Sequence, residues 1–312
     1  MNVKVVLSAL LHDVGKLIQR TQIQDSRPHY QSGHDFIKNY TDDEDILNSV
    51  LLHHKAQIEE AKIAQNSLAY IVYIADNISA GADRRQNELA ESQFNRHLPL
   101  SSIFNLLNNR YGNLTHRLTD IEKINIPHEG ASVTGSDYNN IFLRFKDGVR
   151  GIELTRDYVN SLLELMEATL SYIPSSTDSG QVADISLYDH SKTTAAVASC
   201  IYEYLNAQGR DDYRSILFLN EKNFYAEKAF LMFSFDISGI QKFIYTISSK
   251  NALKMLRARS FYLEVLSEHL IDRLLINCGL SRANLIYSGG GHCYILLPNT
   301  EKVKKEIDNF LK

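Results

Sequence analysis

"LSALLHDVGKL", residues 7–17, sets an imidazole and a carboxylate inside an apolar run. Leu10 and Leu11 precede His12 and Asp13; Val14 and Leu17 follow them. Burying an ionised carboxylate is strongly unfavourable unless something nearby pairs with it. The stretch therefore predicts a helix, over residues 3–20, whose polar pair meets partners supplied from elsewhere.

Working outward, further groups of that kind recur at apolar helical positions. Ser32 reads as the N-cap of a helix through His34, Phe36 and Ile37. Residues 44–58 predict a third helix bearing "LLHHK", with His53 and His54. Residues 67–80, "SLAYIVYIADNISA", predict a fourth, with Asp76. Neighbours on a helix point ~100° apart, so His12 and Asp13 cannot both face one dry core. They can both flank a cleft that holds cations, and the same holds for His53 and His54. Imidazole nitrogen with carboxylate oxygen suits Mn, Fe, Ni, Co or Zn. With Asp13 as the bridging ligand, two ions ~3.5–4 Å apart make a hydrolase centre. His97, His116, His128 and His269 stand alone and read as ordinary core or surface residues.

The chain has 312 residues, 44% of them hydrophobic, which suits two domains with real cores. A formal charge of −4 gives no global pull towards polyanions, so nucleic-acid contact needs local basic patches. Cys200, Cys278 and Cys293 are far apart, which argues against a zinc knuckle or a disulfide framework and suggests a reducing, cytoplasmic setting. The charged pair at 12–13 excludes a signal-peptide core, and no stretch reaches the ~18 apolar residues of a membrane span. No internal repeat or low-complexity tract stands out.

Beyond the first 85 residues the pattern changes. Residues 112–150, with short runs such as "NNIFLRF", suggest hairpins or irregular structure. Helix returns over 151–172; "SYIPSSTDSGQ", 171–181, reads as a loop; another helix is expected from about 190 to 207. From residue 229, "AFLMFSFDI" reads as a strand, 238–279 as two helices, "ANLIYSGGGHCYILLP" as two strands around a glycine turn, and 300–312 as a helix. That β-α-α-β-β-α order is a ferredoxin-like palm without its last strand. Such an open sheet edge invites a partner, so a longer protein or an assembly is expected.

"HDVGK", residues 12–16, resembles the HD superfamily of metal-dependent phosphohydrolases. That family has an additional histidine on an earlier helix, which nothing upstream of residue 12 supplies. "YDHSKTTAAVASCIY", 188–202, has the look of that helix, so a circularly permuted HD fold would make His190 the missing ligand. With "YIADNISAGADRR", "FDISGIQKFIY", "LRARSFYLE" and "IYSGGGHCYILLPN" added, nearly the whole chain resembles the N-terminal half of the large signature subunit of type III-A CRISPR effectors, the Cas ten family. The fold class this implies is multidomain α+β. A mostly helical, circularly permuted HD domain, 1–225, with a small β-containing insertion at about 87–185, precedes a ferredoxin-like palm, 226–312, incomplete at its C-terminus.

The resemblance also implies function: a metal-dependent single-stranded DNA nuclease in the Csm complex, switched on when guide RNA pairs with target RNA. His12, Asp13, His34, His53, His54, Asp76 and His190 are the expected ligands of one or two divalent transition ions (Mn, Ni, Co or Fe). Lys16 is the candidate for neutralising phosphate charge. In the palm, Asp236, Ser238 and Gly239, with the Gly289-Gly290-Gly291-His292 hairpin, occupy the family's nucleotide-binding positions. ATP is the expected nucleotide. The hairpin lacks the carboxylate pair needed to hold two cations, so no synthesis of cyclic oligoadenylate is expected from this half alone. Arg84, Arg85, Lys250, Lys254, Arg257 and Arg259 are the candidate nucleic-acid contacts. Expected partners are guide RNA, target RNA, other Csm subunits and single-stranded DNA, with no membrane. Two alternatives stay open: a phosphohydrolase acting on small nucleotides, and a non-catalytic scaffold.

Overall fold

The computed structural model describes residues 1–21, 27–83, 93–107, 112–119, 124–246 and 251–311. Helix α1 (Val3–Leu11) starts at Asn2, whose Oδ1 accepts from Lys4 N at 3.1 Å and Val5 N at 3.4 Å. The single helix expected over 3–20 is broken. A turn at 12–14 separates α1 from α2 (Gly15–Gln19), and i−3 hydrogen bonds from Val14 and Leu17 tighten it. Helix α3 (His29–Ile37) begins earlier than expected, behind Pro28; Ser32 lies inside it and is no N-cap. Proline fixes the φ that the chain needs on entering a helix.

The segment 44–58 is likewise two helices, α4 (Glu44–Leu52) and α5 (Lys55–Glu60), divided at His53–His54. His54 is extended (φ −103°, ψ 151°) and so ends the run. Helix α6 (Ala69–Asp83) follows.

A minimal antiparallel ribbon pairs β1 (Leu114–Thr115) with β2 (His128–Glu129). The strand expected at "NNIFLRF" is instead part of helix α7 (Gly135–Val149). Two signals outweigh its β-like residues. Thr134 and Asp137 form a capping box, and Tyr138, Ile141, Phe142, Phe145 and Val149 fall on one buried face at helical spacing. Helix α8 (Val159–Leu170) is shorter than expected. Helix α9 (Leu187–Ala207) starts three residues earlier than expected, at the Ser186 cap, so His190 lies in its first turn.

Helix α9 is the hub of this half and packs on both α1 and α6. Ala195, Ala196 and Ala198 on it are fully buried and let the helix backbones approach closely. One apolar core runs from Val5 through α4, α6, α7, α8 and α9, so the segment expected as an insertion contributes two helices to the common core. Burying each Leu, Ile or Val of that core contributes about 1.5–3 kcal/mol.

Helix α10 (Glu221–Tyr225) leads to the second core. Strand β3 (Phe230–Asp236) is followed by α11 (Ile240–Tyr245), α12 (Ala252–Cys278), β4 (Leu285–Gly289), β5 (His292–Pro298) and α13 (Glu301–Phe310). This is the expected β-α-α-β-β-α order. The sheet runs β3-β5-β4, all antiparallel, with Asp236 opposite His292. Leu231, Phe233, Phe235, Cys293, Ile295 and Leu297 pack with α12 and α13. Met232, Ser234, Asp236 and Tyr294 alternate onto the open face, as the two-residue period requires. Asn284, fully buried, ties the two cores: its Nδ2 donates to Ala196 O at 3.2 Å and Leu296 O at 3.0 Å.

Candidate metal centre

His12 and His53 each follow the last residue of a helix. Terminal carbonyls of a helix lack intrahelical partners. Each histidine meets one: Nδ1 of His12 donates to Ala9 O at 2.7 Å, and Nδ1 of His53 to Val50 O at 2.8 Å. A carbonyl only accepts, so each Nδ1 carries a proton and Nε2 is the nitrogen turned towards the cluster. That is how an imidazole is prepared as a ligand. His12 Nε2 is buried and has no hydrogen-bond partner.

Asp13 lies at the centre, and its two oxygens face different groups. Oδ2 is 3.3 Å from His12 Nε2, 3.5 Å from His190 Nε2 and 2.5 Å from Lys16 Nζ. Oδ1 is 3.3 Å from His29 Nε2 and 3.6 Å from His53 Nε2. Asp76 Oδ1, from α6, completes the first side, 3.1 Å from His190 and 3.7 Å from His12. His54 completes the second: its Nε2 is 2.8 Å from that of His29. Donor atoms of His12, Asp13 and His190 all lie within 4.8 Å of one another, and so do those of His29, His53 and His54.

Both carboxylates are held ionised despite their burial. Burial opposes ionisation of Asp13, yet Lys16 and His12 outweigh it and hold the carboxyl well below its usual range. Asp76 is depressed likewise, by its contacts with His12 and His190 against its own burial. Burial pushes the His12 imidazole down, but Asp13 and Asp76 overcome that and raise it to about 9. On the other side, burial and the neighbouring His53 and His29 drive His54 down to about 3. Burial, outweighing Asp13, lowers His29 as well, so His29 and His54 have little capacity to carry protons. The donor set, five imidazoles and two carboxylates with the buried His12 Nε2 making no hydrogen bond, fits divalent transition ions.

Six of the seven expected ligands are therefore brought together: His12, Asp13, His53, His54, Asp76 and His190. His34 is not. Its Nδ1 lies 3.0 Å from Asp35 Oδ1 on the outer side of α3, and His29 takes the place expected of it. The signal for His29 is the phase of α3. Ser32, Gly33, Phe36 and Ile37 are its buried residues, and stepping back three or four from the first two reaches His29. Gly15 enforces the approach: a Cβ there would lie 1.8 Å from the His29 carbonyl oxygen and 2.7 Å from Gly33 N.

The remaining candidates divide. Gly289–Gly291 line a cavity of about 380 Å³ with Ile240, Glu264 and Glu268, whereas Asp236, Ser238 and Gly239 are exposed outside it. Asp236 Oδ1 is 3.8 Å from His292 Nδ1 across the strand pair. Gly291 has φ +85°, and a Cβ on it would lie 2.2 Å from Ile240 Cδ1, so only glycine fits. Lys254 and Arg257 are exposed on α12. Arg259 is no free phosphate contact, because its Nη1 donates to the Phe243 and Thr246 carbonyls at 2.5 Å each. Arg84, Arg85 and Lys250 lie outside the described residues. Among the described residues, no helix is long and apolar enough to cross a membrane.

Comparison with known proteins places this geometry. Residues 1–81 match the HD domain family, and residues 229–312 match the family described as Csm1 subunit domain B. The chain is 42% identical, over 99% of its own length, to the CRISPR system single-strand-specific deoxyribonuclease Cas10/Csm1 (subtype III-A) of Mycobacterium tuberculosis. It is similar in structure to Csm1 of T. onnurineus, with a TM-score of 0.76 and 28% identity over 99% of the chain. A Csm1–Csm4 cassette in complex with pppApA gives the same TM-score at 27% identity. The chain spans about two fifths of the length of these relatives, 42%, 42% and 41% respectively. With an HD match over residues 1–81 and a Csm1 match over the palm, the chain belongs to the Cas10/Csm1 family of type III-A CRISPR systems.

Proposed function

We propose that the first unit, residues 1–225, is a two-metal phosphodiesterase that cuts single-stranded DNA within a type III-A effector. The observation that carries this reading is Asp13, whose two oxygens face two separate imidazole sets beside an open cavity. His12, His190, Asp76 and Asp13 Oδ2 would hold one ion; His29, His53, His54 and Asp13 Oδ1 would hold the other. Such ions, Mn, Fe, Co or Ni by donor chemistry, activate water at neutral pH and offset charge on a phosphodiester. The chain's own part is to fix the ligands. Ala9 and Val50 carbonyls orient two imidazoles, and Lys16 holds Asp13 while its cation stands at the cavity wall.

A scaffold would gain stability by replacing the buried His12–Asp13 pair, whose Nε2 and Oδ1 make no hydrogen bond, with apolar residues, which favours the enzyme. For the palm, residues 226–312, the reading is ATP binding. Gly289–Gly291 would form the wall of the site, Asp236, Ser238, Gly239 and His292 remain candidate contacts outside the cavity, and the relative in complex with pppApA supports this reading. Synthesis of cyclic oligoadenylate would need carboxylates that this hairpin lacks. Guide RNA, further Csm subunits and activating target RNA are the proposed partners, and Lys254 and Arg257 are candidate backbone contacts. Three buried, unpaired cysteines support a reducing cytoplasm.

The test is cleavage of labelled single-stranded DNA with Mn²⁺ by the full-length subunit assembled in its complex with target RNA. A His12→Ala/Asp13→Ala variant should assemble and lose cleavage. Equal cleavage by that variant overturns the reading, and preferential hydrolysis of free nucleotides would favour the small-nucleotide alternative.

A further inference from the structure

The metal centre opens into a cavity of about 320 Å³ whose outer wall the ligand-bearing helices do not build. Two segments far apart in the chain form it, 93–95 and 174–182. Their backbones are paired: Asn95 N donates to Thr177 O at 2.9 Å, Ser179 N to Gln93 O at 2.9 Å, and Phe94 bridges Asp178 in antiparallel fashion. Gln93 N also donates to Ser179 Oγ at 3.0 Å. Arg20, only 3% exposed, anchors the start of the second segment, its Nη1 donating to Pro174 O at 2.6 Å.

Phe94 therefore has a clamped backbone, yet its side chain is 62% exposed. It lines the same cavity as Lys16, Arg20, His29, Asp76 and His190. A phenyl ring held open at the mouth of a phosphodiester-cleaving centre has the chemistry of a stacking platform, because every base has a π-face. The cavity's cations come from α2 and its C-cap. Lys16 and Arg20 are four residues apart and share a face. Among the described residues, Arg20 has only neutral partners, the Pro174 carbonyl and the Tyr138 ring 6.0 Å from its guanidinium carbon. A buried guanidinium with neutral partners favours an anion.

We infer that Phe94 stacks the nucleobase next to the scissile phosphate, while a neighbouring phosphate lies against Lys16 and Arg20. This rests on the nuclease reading and names the device that would make it selective for single strands. In a duplex both faces of a base are covered by its neighbours, so only an unstacked base can reach the ring. Stacking also makes cutting largely indifferent to sequence.

The test compares wild type, Phe94→Ala and Phe94→Trp in the full-length subunit assembled in its complex, with Mn²⁺ and target RNA. The probes are an oligothymidine and an abasic strand of equal length. Phe94→Ala should lose about 5- to 100-fold in kcat/KM on oligothymidine, and Phe94→Trp should restore it. On the abasic strand wild type and Phe94→Ala should cut equally, with equal metal content. Equal cutting of oligothymidine by wild type and Phe94→Ala overturns the inference, as does an equal loss on both probes. Failure of wild type to cut DNA at all would instead remove the nuclease reading, and this inference with it.

Discussion

His12 and His53 are structural equivalents on either side of Asp13: each caps its own helix through Nδ1 and turns Nε2 inward, with ring centroids 5.1 Å apart. Their Nε2 atoms approach different oxygens of that one carboxylate. The two histidines should therefore be separable by metal content. His12→Ala and His53→Ala are each expected to leave about one ion where wild type holds about two. Asp13→Asn should lose both. Elemental analysis of the purified full-length subunit gives the count, and a complete loss in either histidine variant would show that the ions are not independently held.

Gly15 carries a second prediction. In "HDVGK" the glycine is required by close backbone contact between α2 and α3, since a Cβ would run into His29 O and Gly33 N. Relief requires the two helices to move apart. Overpacking of this kind costs about 1–3 kcal/mol, and more where the clash is with backbone. Gly15→Ala should lower the unfolding midpoint and weaken binding at the ion held by His29, His53 and His54 more than at the other. Gly81→Ala, inside α6 where a Cβ meets nothing within 4 Å, is the control and should raise the midpoint slightly, by about 0.5–1 kcal/mol.

How far the sequence carries follows from where the information lies. The His12–Asp13 pair, the His53–His54 pair, Asp76 and the order of elements along the palm are legible because each is local. His190 was legible only through resemblance, since its helix reaches the centre by packing on α1 and α6. His29 was missed because taking Ser32 as an N-cap displaced the start of α3 and hid its phase. The helix at 135–149 is hidden because Asn139, Asn140 and the β-formers around them outweigh a capping box four residues long. Both helix breaks were missed for one reason: a histidine that caps its own carbonyl ends a helix without glycine or proline.

The titration of the cluster predicts a dome in the stability of chelated protein. His12 is raised to about 9 against 6.5 when unfolded, so its contribution is complete below pH 6.5 and is lost as pH rises through 9. His54 is lowered to about 3, so the unfolded chain takes up a proton that the folded chain refuses. Stability then falls as pH drops from 6.5 towards 3. The maximum should lie near pH 6.5 in EDTA. With saturating Mn²⁺ the cation replaces the His12 proton, and the alkaline decline should vanish. Urea melts between pH 5 and 9, with and without chelator, read both limbs; an unchanged alkaline limb with metal bound would contradict this account.

Asn284 supplies the last prediction, about how the two cores communicate. Its buried amide donates to Ala196 O on α9 and to Leu296 O on β5, and Cys200 Sγ lies 3.6 Å from the same Leu296 oxygen. Helix α9 also carries His190, so the palm and the metal centre share one rigid element. Asn284→Ala leaves the Ala196 carbonyl short of this donor, and the loss should be about 1–3 kcal/mol. Asn284→Leu keeps most of the volume and should lose nearly as much, which separates the hydrogen bonds from packing. Because α9 still packs on α1 and α6, metal content should stay at the wild-type value while the palm unfolds at lower denaturant. Hydrogen exchange resolved along the chain would show that uncoupling directly, as faster exchange in β3, β4 and β5 with α1 and α6 unchanged. Acceleration spread evenly over both halves would mean that Asn284 stabilises the whole molecule and is no selective link between its parts.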